Sequence, residues 1–298
     1  MAMIPRLALF LLLGLAAGPL AAVPAWRVSA PGAPGEVLLV GSVHLLRASH
    51  LPLPATIEAA YAAADRLVME LDPAELEPAA SAAALERVGI DTAGRRSRDL
   101  FGASGWRELE ALARDAGVDP AALAGLEPWF AAVSLYTGAL AAAGFDPALG
   151  VDHQLGLRAV RDGRPAAGLE TLEQQLGIFK ELPAETQRDL LRKTLEELDA
   201  VAAETDRLVT AWRDTDLAGL ALTLEEDFRG YPALRARLVE ERNAAWAPQV
   251  AGLLQQPGTS LVVVGALHLV GPAGLPEQLR QRGYLVVPFR AGVKAQAP

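Results

Sequence analysis

The chain of 298 residues contains no cysteine. That removes disulfides, thiolate metal ligands, a cysteine nucleophile and a lipid anchor on an N-terminal cysteine. Basic residues are outnumbered, 27 Lys and Arg against 36 Asp and Glu, for a formal charge of −9. Such a balance offers no surface for tracking phosphates, so no nucleic-acid partner is expected. Several signatures are missing as well. No P-loop, dinucleotide glycine fingerprint, Gly-x-Ser-x-Gly elbow or His-Glu-x-x-His helix occurs, which argues against nucleotide enzymes, serine hydrolases and the common zinc peptidases. Histidine is scarce, with four copies.

Two of those four sit in matching settings. Glu36-Val37-Leu38-Leu39-Val40-Gly41-Ser42-Val43-His44 lies near the start and Leu261-Val262-Val263-Val264-Gly265-Ala266-Leu267-His268 near the end. Each is a β-branched and leucine run, then glycine, two residues and histidine. The run reads as a buried strand. The glycine permits a turn or a close approach where the strand stops. The histidine then falls just past a strand's C-terminal end, where open α/β sheets place their ligands.

Half of the residues are hydrophobic, 51%, which is ample for a core. Residues 1–25 read as a secretory signal peptide. Arg6 supplies the positive region, Leu7 to Ala17 the apolar one, and cleavage is expected near Ala21, Ala22 or Ala25. That apolar stretch is short for a membrane span, Pro19 and Pro24 interrupt the residues after it, and no later run approaches membrane length. The protein is therefore expected to be periplasmic or secreted, in a bacterium to judge from its Ala-, Arg- and Leu-rich composition, with no stable span after signal cleavage.

The remainder, 26–298, reads as one domain. Strands are expected at 36–41, 67–71, 165–170, 260–265 and 284–288. A helix over 55–65 joins the first two, and a mostly helical region fills about 74–256. Within it, Ser104 caps a helix, Thr171 with Gln174 makes a capping box, and a stripe of Leu191, Leu195, Leu198, Ala202, Leu208 and Trp212 faces a core. A further helix is expected from Leu234 to Leu254 and a loose tail over 291–298. The fold class is α/β (α+β): a central mixed sheet from the N- and C-terminal segments with a large helical insertion.

Four strand ends deliver polar groups: His44, Glu70, Glu170 and His268. Two imidazoles and one or two carboxylates are an ordinary donor set for a first-row divalent metal. Glu70 lies within Val-Met-Glu-Leu, and a carboxylate buried in an apolar strand needs a partner. Glu170 is also readable as a helix N-terminal charge. His50 and His153 read as structural or solvated, and Asp152 as a helix N-terminal carboxylate and nothing more. Arg242 and Asn243 sit on a helix that otherwise packs, and an asparagine there is mildly unfavourable, so a polar role is open.

The ordered set of these segments resembles the TraB/GumN family, which includes the Tiki metalloproteases. The resemblance runs from Leu53-Pro54 through Glu70, over Gly150-Val151-Asp152 and Pro165 to Gln175, to Glu241-Arg242-Asn243 with Trp246, and ends with Val264 to Gly271 and Arg282-Gly283-Tyr284. It implies a metal-dependent hydrolase acting on a peptide or protein substrate. His44, His268, Glu70 and Glu170 would hold a divalent ion (Mn, Zn, Co or Fe), one glutamate would take the water's proton, and Arg242 or Asn243 would hold the oxyanion. Leu267 departs from the family's usual glycine before the second histidine, narrowing the approach to the metal. The rival expectation is a non-catalytic periplasmic metal- or haem-binding protein, which needs the same histidines. A structural partner in polysaccharide export would need neither.

Overall fold

A computed structural model describes residues 23–76 and 96–291. Most of the expected signal peptide (1–22 of 1–25), part of the expected helical region (77–95) and residues 292–298 of the expected tail lie outside the described residues. The sheet has six strands in the order β4-β3-β5-β2-β1-β6. They are β1 (Ala25–Ser29), β2 (Gly35–Ser42), β3 (Arg66–Met69), β4 (Ala166–Gly168), β5 (Gly258–Gly265) and β6 (Leu285–Pro288). β4, β3, β5 and β2 run parallel, while β1 and β6 close one edge antiparallel. The helices are α1 (Ala55–Ala63), α2 (Ser97–Asp115), α3 (Pro120–Ala124), α4 (Pro128–Ala142), α5 (Val151–Arg161) and α6 (Leu172–Lys180), then α7 (Ala184–Glu196), α8 (Val201–Arg213), α9 (Leu217–Asp227), α10 (Pro232–Arg235), α11 (Glu241–Leu253) and α12 (Leu275–Gln281). This is the expected mixed sheet with a large helical part.

The two histidine-bearing strands lie side by side, Leu38 against Leu261, Gly41 against Val264 and Ser42 against Gly265. Their continuous apolar runs follow from burial on both faces, as parallel strands require. Leu38, Val40, Leu261 and Val263 pack with Ile57, Tyr61 and Leu155 on one side. Val37, Leu39, Val262 and Val264 pack with Trp246, Val250 and Leu279 on the other. Gly41 is a close approach: a Cβ there would lie 3.2 Å from the Ala266 backbone.

The structure changes several boundaries. β1 was not expected, because it adjoins the segment read as a signal peptide, which takes in its first residue, Ala25. Val23 and Ala25 are nevertheless buried, and Ala25 pairs with Val40, so the fold begins before residue 26. The fourth strand is shorter than 165–170, which leaves Glu170 just beyond it. The apolar stripe from Leu191 to Trp212 belongs to two helices, α7 and α8, parted by residues 197–200. The expected helix from Ser104 starts earlier, at Ser97, and kinks at Gly102 (φ 63°), a left-handed geometry glycine tolerates. The expected helix 234–254 contains a π turn, Ala236–Glu240, just before Arg242, and such turns cluster at functional sites. The Thr171–Gln174 capping box is present. Among the described residues no helix is long and apolar enough to cross a membrane.

Candidate active site

Parallel strands β2, β3, β4 and β5 all end at one edge, and each delivers one of the four expected residues there. His44 follows β2, Glu70 follows β3, Glu170 follows β4, and His268 stands in the short turn Ala266–Leu269 after β5. His44 Nε2 and His268 Nε2 each lie 3.9 Å from Glu70 Oε1. Gly265 forms the floor between them. Its amide donates to Glu70 Oε1 at 2.7 Å. A Cβ on it would stand 3.3 Å from that oxygen and 3.4 Å from His44 Nε2, so any side chain would intrude on the centre.

Each imidazole is fixed from behind. Asp152, in the first turn of α5, accepts from His44 Nδ1 at 2.8 Å and from the Ser42 hydroxyl at 3.1 Å. A carboxylate only accepts, so His44 carries hydrogen on Nδ1 and turns Nε2 toward Glu70. The start of α5 is docked on this strand end: the Val151 amide donates to the Val43 carbonyl at 3.1 Å. Asp152 is therefore more than a helix-end charge. Asn243 does the same for His268. Its amide group donates to the carbonyls of His268 (3.1 Å) and Ala273 (2.9 Å), which leaves Oδ1 to accept from His268 Nδ1 at 2.8 Å. Asn243 is fully buried with its donors committed, so it stands behind His268 and not at the reacting centre. Trp246 packs against the same imidazole, ring centroids 4.7 Å apart.

Arg242 knits the carboxylates together. Nη2 donates to Glu70 Oε2 at 2.6 Å and to Glu170 Oε1 at 2.7 Å, Nε to Glu170 Oε2 at 3.2 Å, and Nη1 meets His268 Nε2 at 3.0 Å. Gln175, which composition and spacing did not single out, donates to both glutamates at 3.1 Å. Among the described residues no group of three or more His, Asp or Glu stands as a ready metal cage; here the guanidinium supplies the positive charge. His50 and His153 are not part of the cluster. His50 accepts from the Arg47 amide and packs near Phe145.

The electrostatics follow from these neighbours. Asp152 raises the His44 pKa to about 9, against the effect of burial. Burial lowers that of His268 to about 3, so its Nε2 lone pair stays available. Burial opposes the Glu70 charge, but His268, Arg242, His44 and the Gly265 amide together bring its pKa down to about 2. Glu170 is raised by burial, with Arg242 working against the rise. A raised histidine pKa stabilises the fold fully below the unfolded value and loses that contribution as pH climbs through the folded one. In metal-free protein the His44 ring is expected to titrate near 9 by NMR, and in Asp152→Asn to return toward about 6.5. Titration of the parent ring near 6.5 would contradict the pairing.

The matching family model, the TraB/PrgY/gumN family, covers residues 24–288. The chain belongs to this family. It is 26% identical over 258 residues to the uncharacterized protein YbaP of Escherichia coli (strain K12), covering 86% of this chain and 92% of that one. The YbaP protein of Shigella flexneri is 26% identical over 243 residues, covering 81% and 87%. An uncharacterized protein of Treponema pallidum (strain Nichols) is 25% identical over 272 residues, covering 87% and 81%. No solved structure matches the chain.

Proposed function

We propose that this family member is a metal-dependent hydrolase, most simply a peptidase, working at the edge where β2, β3 and β5 end. The observation that carries the reading is the convergence of His44 Nε2, His268 Nε2 and Glu70 Oε1 beside Gly265, with each histidine anchored through Nδ1. Imidazole nitrogens oriented by a carboxylate or amide oxygen behind them, together with a carboxylate, are the donor chemistry of first-row divalent ions. The donor types suit Mn, Zn, Co or Fe once the contact of Arg242 with His268 Nε2 is given up. His44, His268 and Glu70 would hold the ion, whose chemistry when bound is to acidify a water and polarise a carbonyl.

The remaining roles belong to the chain. His268 Nε2 has one lone pair, so metal uptake and its contact with Arg242 exclude one another. Arg242 then turns Nη1 toward the site to steady a developing oxyanion, while Nη2 and Nε stay on Glu70 and Glu170. Glu70 lines the cavity over the site and Glu170 does not, so Glu70 is the carboxylate that would serve as a ligand. Glu170 serves as the anchor of Arg242. A bacterial leader ending near Ala22 would leave the buried Val23 in place, consistent with a periplasmic or secreted protein.

Elemental analysis tests the reading. Purified protein incubated with Mn or Zn should hold about one ion per chain, and His44→Ala/His268→Ala should hold none. Equal, negligible metal in both would end the metal-dependent reading.

A further inference from the structure

A cavity of about 620 Å³ opens over the site and runs from His44, Glu70, Arg242 and His268 along helices of the insertion. Its size falls in the range of about 300–1,000 Å³ usual for ligand pockets. The walls are mainly aliphatic and aromatic, with Leu176, Phe179, Leu190, Val201, Leu208 and Leu238 among them. Donors line the cavity too, on Tyr136, Gln175 and Tyr231, but the threonines share another property. The hydroxyls of Thr137, Thr194 and Thr223 each donate to a carbonyl one helical turn back, at 2.9, 2.8 and 3.0 Å. A hydroxyl has one hydrogen and two lone pairs, so these three present acceptors to the cavity. Its exposed rim carries Glu197, Glu204 and Asp227, while the nearby Lys193 is held by Glu197 at 2.9 Å.

We propose that this cavity binds an extended apolar peptide segment bearing a basic residue, whose N–H groups meet the threonine oxygens and whose cation meets the acidic rim. An extended peptide brings one N–H per residue into a wall that offers acceptors. A lysine or arginine lays its stem on apolar surface and keeps its charge at the rim. A fatty acyl chain would fill the same volume but supply no donors to the threonine oxygens, and a carboxylate at the rim would meet Glu204 and Asp227, with Lys193 already held by Glu197. The inference rests on the peptidase reading of the site, and binding is therefore measured apart from cleavage.

The test is calorimetric titration of the full protein, in chelator, with acetyl-Ala-Leu-Val-Phe-Leu-Lys-amide, with its Lys→Glu counterpart and with dodecanoate. The lysine peptide should bind about tenfold tighter than the glutamate peptide. Glu204→Gln/Asp227→Asn, two exposed changes that leave the core untouched, should shrink that preference to about threefold or less. Equal affinity for the two peptides, tighter binding of the glutamate peptide or dodecanoate, or no binding of either peptide at about 1 mM would overturn the proposal. Cleavage by metal-loaded protein without charge preference would overturn it and leave the hydrolase reading intact. Preferential binding with no cleavage under any metal would do the reverse.

Discussion

Arg242→Leu is expected to destabilise the metal-free protein by about 3–5 kcal/mol, the usual cost of removing one partner from a buried ion pair. Arg242 Nη2 lies 2.6 Å from Glu70 and 2.7 Å from Glu170, with those side chains only 5% and 10% exposed. Without the guanidinium, two carboxylates sharing the Gln175 amide group face one another in a low-dielectric setting. The loss should appear as a melting temperature lower by about 10 °C for a domain of this size. The pH dependence carries the sign. With the arginine gone both carboxyl pKa values rise in the fold, and a raised pKa favours folding at low pH and loses that benefit as pH rises. The deficit should therefore shrink as the pH is taken from 7 toward 5. Adding Glu170→Gln to Arg242→Leu should restore part of the stability at pH 7. Thermal unfolding of the three proteins across that range decides it; a deficit below about 1 kcal/mol, independent of pH, would mean the cluster is far better solvated than its burial implies.

Asn243→Leu should cost a similar amount by a different route. The side chains are close in size, so packing changes little. The lost amide leaves two groups without partners, the Nδ1 hydrogen and the carbonyl of the buried His268, while the Ala273 carbonyl still accepts from Gln278 at 3.0 Å. Each orphaned group costs about 1–3 kcal/mol, so the two together are expected to cost about 2–5 kcal/mol. The distinguishing readout is spectroscopic. The Nδ1 proton of His268 should exchange slowly with solvent in the parent and faster in the variant, while Arg242 holds Nε2 as an acceptor in both. Metal affinity should fall about 10–100-fold, as removal of an outer-shell partner does. A variant whose Nδ1 proton stays equally protected would show that something other than Asn243 holds that side of the ring.

Much of the site was legible because its ligand candidates lie immediately after strands. The two Gly-x-x-His segments marked themselves by composition, and Glu70 by being a carboxylate in an apolar strand. What escaped was the support. Asp152 carries no local sign of being anything but a favourable charge at a helix start; its value comes from the docking of α5 onto the end of β2. Gln175 sits on a half-buried helix position and reads as surface. Asn243 stands out along the chain as a misfit, which suggests the reacting centre, because only the carbonyls of His268 and Ala273 reveal where its donors go. β1 escaped because it adjoins the apolar segment read as a signal peptide, which masks the start of a strand.

The sequence by itself determined the elements whose signal is local: the continuous apolar runs of β2 and β5, the glycine that ends each, the histidine three residues on, and the Thr171–Gln174 cap. Periodicity, turn chemistry and capping act within a few residues, so they can be read along the chain. The tertiary structure alone decided which groups meet. Arg242 reaches Glu70 across 172 residues and Glu170 across 72, and His44 reaches Asp152 across 108. Those meetings depend on strand register and on how α5 and α11 seat against the sheet. Both are set by the fit of whole faces, and no short stretch of sequence encodes them.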